Sequence, residues 1–234
     1  LDEVLNGGFP RGRVILVLGG PGTGKTILST QFLVRGAETY GENGVYVSLD
    51  ESRSHIFREM SHMKWDLEEL EKEKKLIVLD ASPIRHVPGE VKVGKLTIGK
   101  RDFSMISLID TLRKNIQLIN AKRIALDPIT MLIFQYPDPI QRRTAFMDLV
   151  EALMETGATC LLTSELRAVG LERDVELEEY LAHGVILLQT LQVGRALVRA
   201  LQVEKMRETQ ADMQPRPYRI TSAGIEVYPK ESVF

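Results

Sequence analysis

Cysteine is nearly absent from this chain: Cys160 is the only one in 234 residues. A single thiol cannot close an internal disulfide. Its apolar setting, Thr159-Cys160-Leu161-Leu162-Thr163, favours a buried, reduced side chain over a reactive one. Missing too is any apolar run long enough to span a bilayer, so no membrane segment is expected. No secretory leader is legible in the chain, which opens at Leu1, and a cytoplasmic location is the expectation. Charge of one sign is also lacking. A net charge of −2 sets up no basic field to gather nucleic acid or anionic lipid, although a local patch can still do so. What remains is ordinary for a globular protein with a sizeable core: 44% hydrophobic and 26% charged residues. The length suits one α/β domain better than two small ones.

The most informative stretch is Gly19-Gly20-Pro21-Gly22-Thr23-Gly24-Lys25-Thr26, which fits the P-loop pattern G-x-x-x-x-G-K-[ST]. The run from Val14 to Leu18 before it is apolar and β-rich. After it, Ile27, Leu28, Gln31, Phe32 and Val34 mark a helical face. Strand, glycine loop and helix together predict a phosphate cradle running from Gly20 through Pro21, Gly22, Thr23, Gly24, Lys25 and Thr26 to Ile27. The glycines let successive N–H groups converge on phosphate oxygens, and the helix start adds free donors and a positive dipole end. Lys25 is predicted to reach the β- and γ-phosphates of ATP, and Thr26 to hold Mg2+.

Further along, residues 45–49 read as a second strand with Asp50 and Glu51 at its carboxyl end, where ligands of open α/β sheets sit. Either acid is a candidate base for activating water, and Asp50 or Ser52 is equally suited to cap the next helix. Residues 54–75 read as one helix and 76–79 as a third strand. Residues 82–101 carry five cations among Pro and Gly and read as a surface loop or hairpin. A helix is expected over 102–120 and a strand over 123–126, closed by Asp127, which takes the Walker B position that holds Mg2+ through its water shell. An Asp-Pro turn is the plainer account of the same residue. Phe146, Leu149, Val150, Leu153 and Met154 form a core-facing helical stripe ended by Gly157. A fifth strand over 159–163 leads to Ser164 and Glu165, which suit either a phosphate sensor or a cap. Residues 167–180 are acidic, and strand-like segments over 184–192, 197–204 and 218–227 suggest an antiparallel extension. Lys205 and Arg207, two apart at a strand end, point to one side and read from spacing alone as solvated charges.

Taken together, several segments resemble the RecA superfamily of P-loop ATPases, and within it the KaiC-like proteins. They are Leu1-Asp2-x-x-Leu5-x-Gly7-Gly8-Phe9-Pro10-x-Gly12 leading into the P-loop, Ser48-Leu49-Asp50-Glu51-Ser52, Ile124-Ala125-Leu126-Asp127, Leu161-Leu162-Thr163-Ser164-Glu165, Val203-Glu204-Lys205-Met206-Arg207, and Tyr218-Arg219-Ile220-Thr221-x-x-Gly224-Ile225-x-Val227. The resemblance covers nearly the whole chain and implies a single RecA-type P-loop NTPase domain over 1–234. Its expected fold is a mostly parallel central sheet flanked by helices, with a C-terminal antiparallel extension. It also implies a homo-oligomer, usually a hexameric ring, with Mg-ATP between subunits, and Lys205 and Arg207 reaching the γ-phosphate bound by a neighbour's Lys25 and Thr26.

Three departures stand out. Asp50-Glu51 replaces a pair of glutamates, and the shorter side chain at 50 implies slow hydrolysis or a role for Glu51. Glu208-Thr209-Gln210-Ala211 follows where Gly-Thr-x-His is frequent, so a carboxylate at 208 can oppose the nucleotide. One ATPase unit is present where KaiC carries two, so no clock function is carried over. The expected activity is a slow ring ATPase. The alternatives are an ATP-gated single-strand DNA-binding accessory protein, with Arg142 and Arg143 as its offered cations, and a KaiC-type protein kinase.

Overall fold

The computed structural model describes residues 1–81, 91–93, 96–98, 105–166 and 175–234. Its frame is a 9-stranded sheet of order β11-β10-β9-β8-β1-β7-β6-β2-β3. The strands are β1 Val14–Gly19, β2 Gly44–Ser48, β3 Leu76–Asp80, β6 Arg123–Asp127, β7 Thr159–Glu165, β8 Gly184–Val193, β9 Ala196–Met206, β10 Arg216–Thr221 and β11 Gly224–Val227. From β3 across to β8 neighbours run parallel; β8, β9, β10 and β11 follow as antiparallel pairs. This is the expected mostly parallel sheet with its antiparallel extension. Of the basic segment over 82–101, only the short antiparallel strands β4 Val91–Val93 and β5 Leu96–Ile98 lie within the described residues. Among the described residues no helix is long and apolar enough to cross a membrane.

Alternation along the strands sorts the core into two layers. Val14, Leu16, Leu18, Ile124, Leu126, Cys160 and Leu162 face one side of the sheet, under α4 Met105–Ile119 and α6 Pro139–Glu155. Ile15, Val17, Tyr46, Ala125, Leu161, Ile186 and Leu188 face the other, under α1 Lys25–Thr39. Cys160 is fully buried, and burial pushes its thiol pKa far up, as an inert core thiol requires.

The single helix expected over 54–75 is instead two, α2 Arg53–Met60 and α3 Leu67–Lys72. Between them Trp65 turns into the core, the Lys64 N–H donates to the Ser222 carbonyl at 2.9 Å, and the Asp66 carboxylate accepts from the Glu69 N–H at 2.9 Å. A distant hairpin and a local cap thus take the donors a continuous helix would use. Two further short helices, α5 Thr130–Ile133 and α7 Leu177–Leu181, follow β6 and precede β8. The strand-like segment over 218–227 is the β10–β11 hairpin, turned at 222–223.

Candidate functional site

The P-loop links β1 to α1 at the carboxyl edge of the sheet, where β1 lies between β7 and β8. A Cβ on Gly19 would stand 2.5 Å from Thr23 Oγ1 and 3.0 Å from the Leu188 carbonyl oxygen, so only glycine lets the loop fold back this tightly. Thr23 Oγ1 donates to the Gly20 carbonyl at 2.8 Å and fixes that fold. Gly24 is the N-cap of α1, at φ +92°, and offers no side-chain cap. The first-turn N–H groups of α1 therefore open into the concavity. Pro21 and Gly22 are exposed, Thr23 is buried, and Gly20, Gly24, Lys25, Thr26 and Ile27 are half-buried along the lip.

From below, the C-terminal hairpin supports the loop. Tyr218 Oη donates to the Thr23 carbonyl at 2.6 Å, and a Cβ on Gly24 would lie 3.0 Å from Ile220 Cδ1. Gln31 of α1 exchanges two hydrogen bonds with the Ile225 backbone, at 2.8 and 3.2 Å.

The Lys25 ammonium donates to the Gly19 and Gly20 carbonyls at 2.9 and 3.2 Å. Burial lowers its pKa, while the carboxylates of Asp127, Glu165 and Asp50 oppose the shift. Those acids come from the ends of β6, β7 and β2, so the structure gathers three strand ends around one lysine. Asp127 is 4% exposed. Tyr46 Oη donates to its Oδ2 at 2.6 Å, and Thr163 Oγ1 donates to its Oδ1. With each oxygen already accepting one protein donor, Asp127 suits a role through a metal's water shell. Together with the Thr26 hydroxyl this is a hard, oxygen-only donor set that fits Mg2+.

Ser52, not Asp50, caps α2: its Oγ accepts from the His55 N–H at 3.3 Å. Ser48 Oγ donates to the Glu51 carbonyl at 2.6 Å and accepts from the Glu51 N–H at 3.1 Å, holding the turn after β2. The Glu51 carboxylate lies beside His55, with Oε2 3.6 Å from Nδ1. Its pKa is raised by burial and by Glu59 and Asp50. At the end of β7, Ser164 Oγ and Thr130 Oγ1 lie 3.1 Å apart, and Thr130 Oγ1 accepts from the Glu165 N–H.

Lys205 and Arg207 are not brought to this cradle. In register, Met206 faces Gly184, and Gly184 faces Ile15; the Arg207 N–H donates to the His183 carbonyl, and the His183 N–H to that of Val14. Both cations therefore lie level with the start of β1, across β8 from it, and the two ends of β1 stand about 16 Å apart at the usual strand rise. Lys205 Nζ donates to the carbonyls of Glu179, Tyr180 and Ala182 at 3.1, 3.1 and 2.6 Å, closing α7. Arg207 is exposed. Glu208, at φ +67°, is held by both arms of the Arg13 guanidinium, with Nε 3.0 Å from Oε2.

Sequence reasoning missed Tyr46, Thr163 and Tyr218. Tyr46 and Thr163 reach Asp127 from the strands on either side of β6, and Tyr218 reaches Thr23 from β10, so the usable signal was alternation, and that needs the strand order.

A family profile described as "ATPase: KaiC" matches residues 1–232. The chain is 34% identical over 229 residues to the circadian clock oscillator protein KaiC of Synechococcus elongatus, covering 97% of this chain and 42% of that protein. It thus spans about two-fifths of the clock proteins it matches. With the UPF0273 protein MJ1359 of Methanocaldococcus jannaschii it shares 36% identity over 231 residues, covering 98% of this chain and 93% of the other. The crystal structure of KaiC-like protein PH0186 from Pyrococcus horikoshii superposes with a TM-score of 0.81 at 35% identity, covering 98% and 95% of the two chains.

Proposed function

The chain belongs to the KaiC ATPase family, and we propose that it is a slow Mg-ATP hydrolase acting as a single ATPase unit in a head-to-tail ring, of six copies by family analogy. Gly20 to Ile27 hold the triphosphate through backbone amides, and Lys25 leaves the Gly19 and Gly20 carbonyls for its β- and γ-oxygens. Thr26 and Asp127 would hold Mg2+, which would supply charge neutralisation at the phosphates. Asp50 or Glu51 accepts a proton from the water that attacks the γ-phosphorus, as the bond to the ADP oxygen breaks and ADP leaves. A neighbour's Arg207 stabilises the charge on the transferred group. Lys205 assists only by giving up the three α7 carbonyls it holds, so Arg207 carries the larger share.

One observation carries this reading: the cradle and the Lys205–Arg207 segment lie at opposite edges of one sheet. A chain cannot fold its own Arg207 onto its own phosphates, but a copy stacked head to tail can, and repetition of that contact closes a ring. The Arg13–Glu208 pair supports it by occupying the carboxylate that would otherwise face the anionic nucleotide.

The test uses Lys25→Ala and Arg207→Ala. Each alone loses turnover, Arg207→Ala by on the order of a thousandfold. Mixed, they form interfaces with one intact Lys25 and one intact Arg207, and turnover returns in part. Solution mass should rise on adding Mg-ATP. A monomer with full turnover overturns the proposal.

A further inference from the structure

Among the described residues, one group of metal-ligating side chains comes together outside the cradle: Glu51, His55 and Glu59, whose donor atoms all lie within 4.8 Å of one another. Glu51 stands just before the Ser52 cap of α2; His55 and Glu59 follow at one-turn intervals and share its face. We infer that these three residues form a binding site for a divalent transition-metal ion of the zinc class, separate from the Mg2+ position at Thr26 and Asp127.

Geometry and chemistry point the same way. Glu51 Oε2, the atom that faces His55 Nδ1, is shielded from solvent and has no hydrogen-bond partner among the described residues. At 3.6 Å the imidazole is too far to donate to it. A desolvated carboxylate oxygen without a donor is costly, and a cation is the group that relieves it. Among the described residues, the charges acting on Glu51 make the same demand: Glu59, Asp50 and Asp127 repel it, and His55 attracts it. His55 and Glu59 are exposed, so modest rotamer changes can draw the donors to the roughly 3.3 Å separations that bonds of about 2.1 Å require. Two carboxylates and one imidazole form a borderline donor set. It favours Zn2+ or Co2+ over Mg2+ and Ca2+, and leaves a fourth position to water. On the ATPase reading above, an ion here engages Glu51, and the activation of water falls to Asp50.

Equilibrium dialysis of the nucleotide-free full chain against Zn2+ tests the site without relying on activity. About one ion per chain is expected, and His55→Ala and Glu59→Gln should each weaken binding about tenfold or more. Co2+ should give visible d–d absorption that both variants lose. Thermal midpoints in metal-free buffer establish that the variants are folded. Zn2+ retained equally by parent and both variants, or not retained by the parent, overturns the inference. Because no nucleotide is present, neither result depends on whether the chain hydrolyses ATP.

Discussion

At the scale of single residues, the site depends on how buried oxygens are shared. Asp127 is held from both sides, by Tyr46 of β2 and Thr163 of β7. Tyr46→Phe keeps the ring packing and strips one buried carboxylate oxygen of its donor. Unfolding free energy should fall by about 1–3 kcal/mol in a urea titration, and Mg2+-dependent nucleotide binding should weaken with it. An unchanged midpoint would mean that water replaces the hydroxyl without cost. His183 gives a pH signature. Burial, then Arg13, Arg207 and Lys205, lower its pKa, so the fold prefers the neutral ring. Its contribution is complete above the ordinary histidine value of 6.5 and is lost as pH falls through the lower folded-state value. Stability should therefore decline below pH 6.5, and His183→Gln should flatten that part of the pH–stability curve. A parallel decline in both proteins would assign the effect to other groups.

At the scale of elements, the C-terminal hairpin explains why so distant a piece of chain belongs to the P-loop. Strand β10 puts Tyr218 under Thr23, and β11 lies against Gln31 of α1. Tyr218→Phe leaves the buried Thr23 carbonyl without that donor. A loss of about 1 kcal/mol is expected in the same titration. A fluorescent ATP analogue should also bind more weakly, because the loop is no longer held in the receptive shape. Stability lost with affinity unchanged would show that the hairpin supports the fold and not the cradle. The break between α2 and α3 belongs here too, since the same hairpin, through Ser222, takes the Lys64 N–H that a longer helix would have used.

At the scale of the whole molecule, charge and topology bear on the competing DNA reading. Arg142, one of the two cations offered to DNA, is half-buried and lines a small apolar pocket with Ile129, Leu132 and Phe146, while Arg143 is exposed. With a net charge of −2, few phosphate contacts are available. Single-strand DNA should bind weakly at low salt and with a shallow salt slope in a fluorescence-anisotropy titration. A steep slope, of many released counterions, would restore the DNA reading and point to the basic segment over 82–101.

Much was decided by the sequence alone, for local reasons. The P-loop, the acids after β2 and at the end of β6, and the strand–helix alternation are fixed by spacing, glycine placement and apolar runs, which act between near neighbours in the chain. Tertiary structure decided what depends on which strand lies beside which. It placed Tyr46 and Thr163 on Asp127 and set Tyr218 beneath Thr23. It also held Glu208 on Arg13 and set Lys205 and Arg207 at the far edge of the sheet from Lys25. The physical reason is that hydrogen bonds and charge act through space, and strand order, which local patterning does not encode, decides which residues share that space.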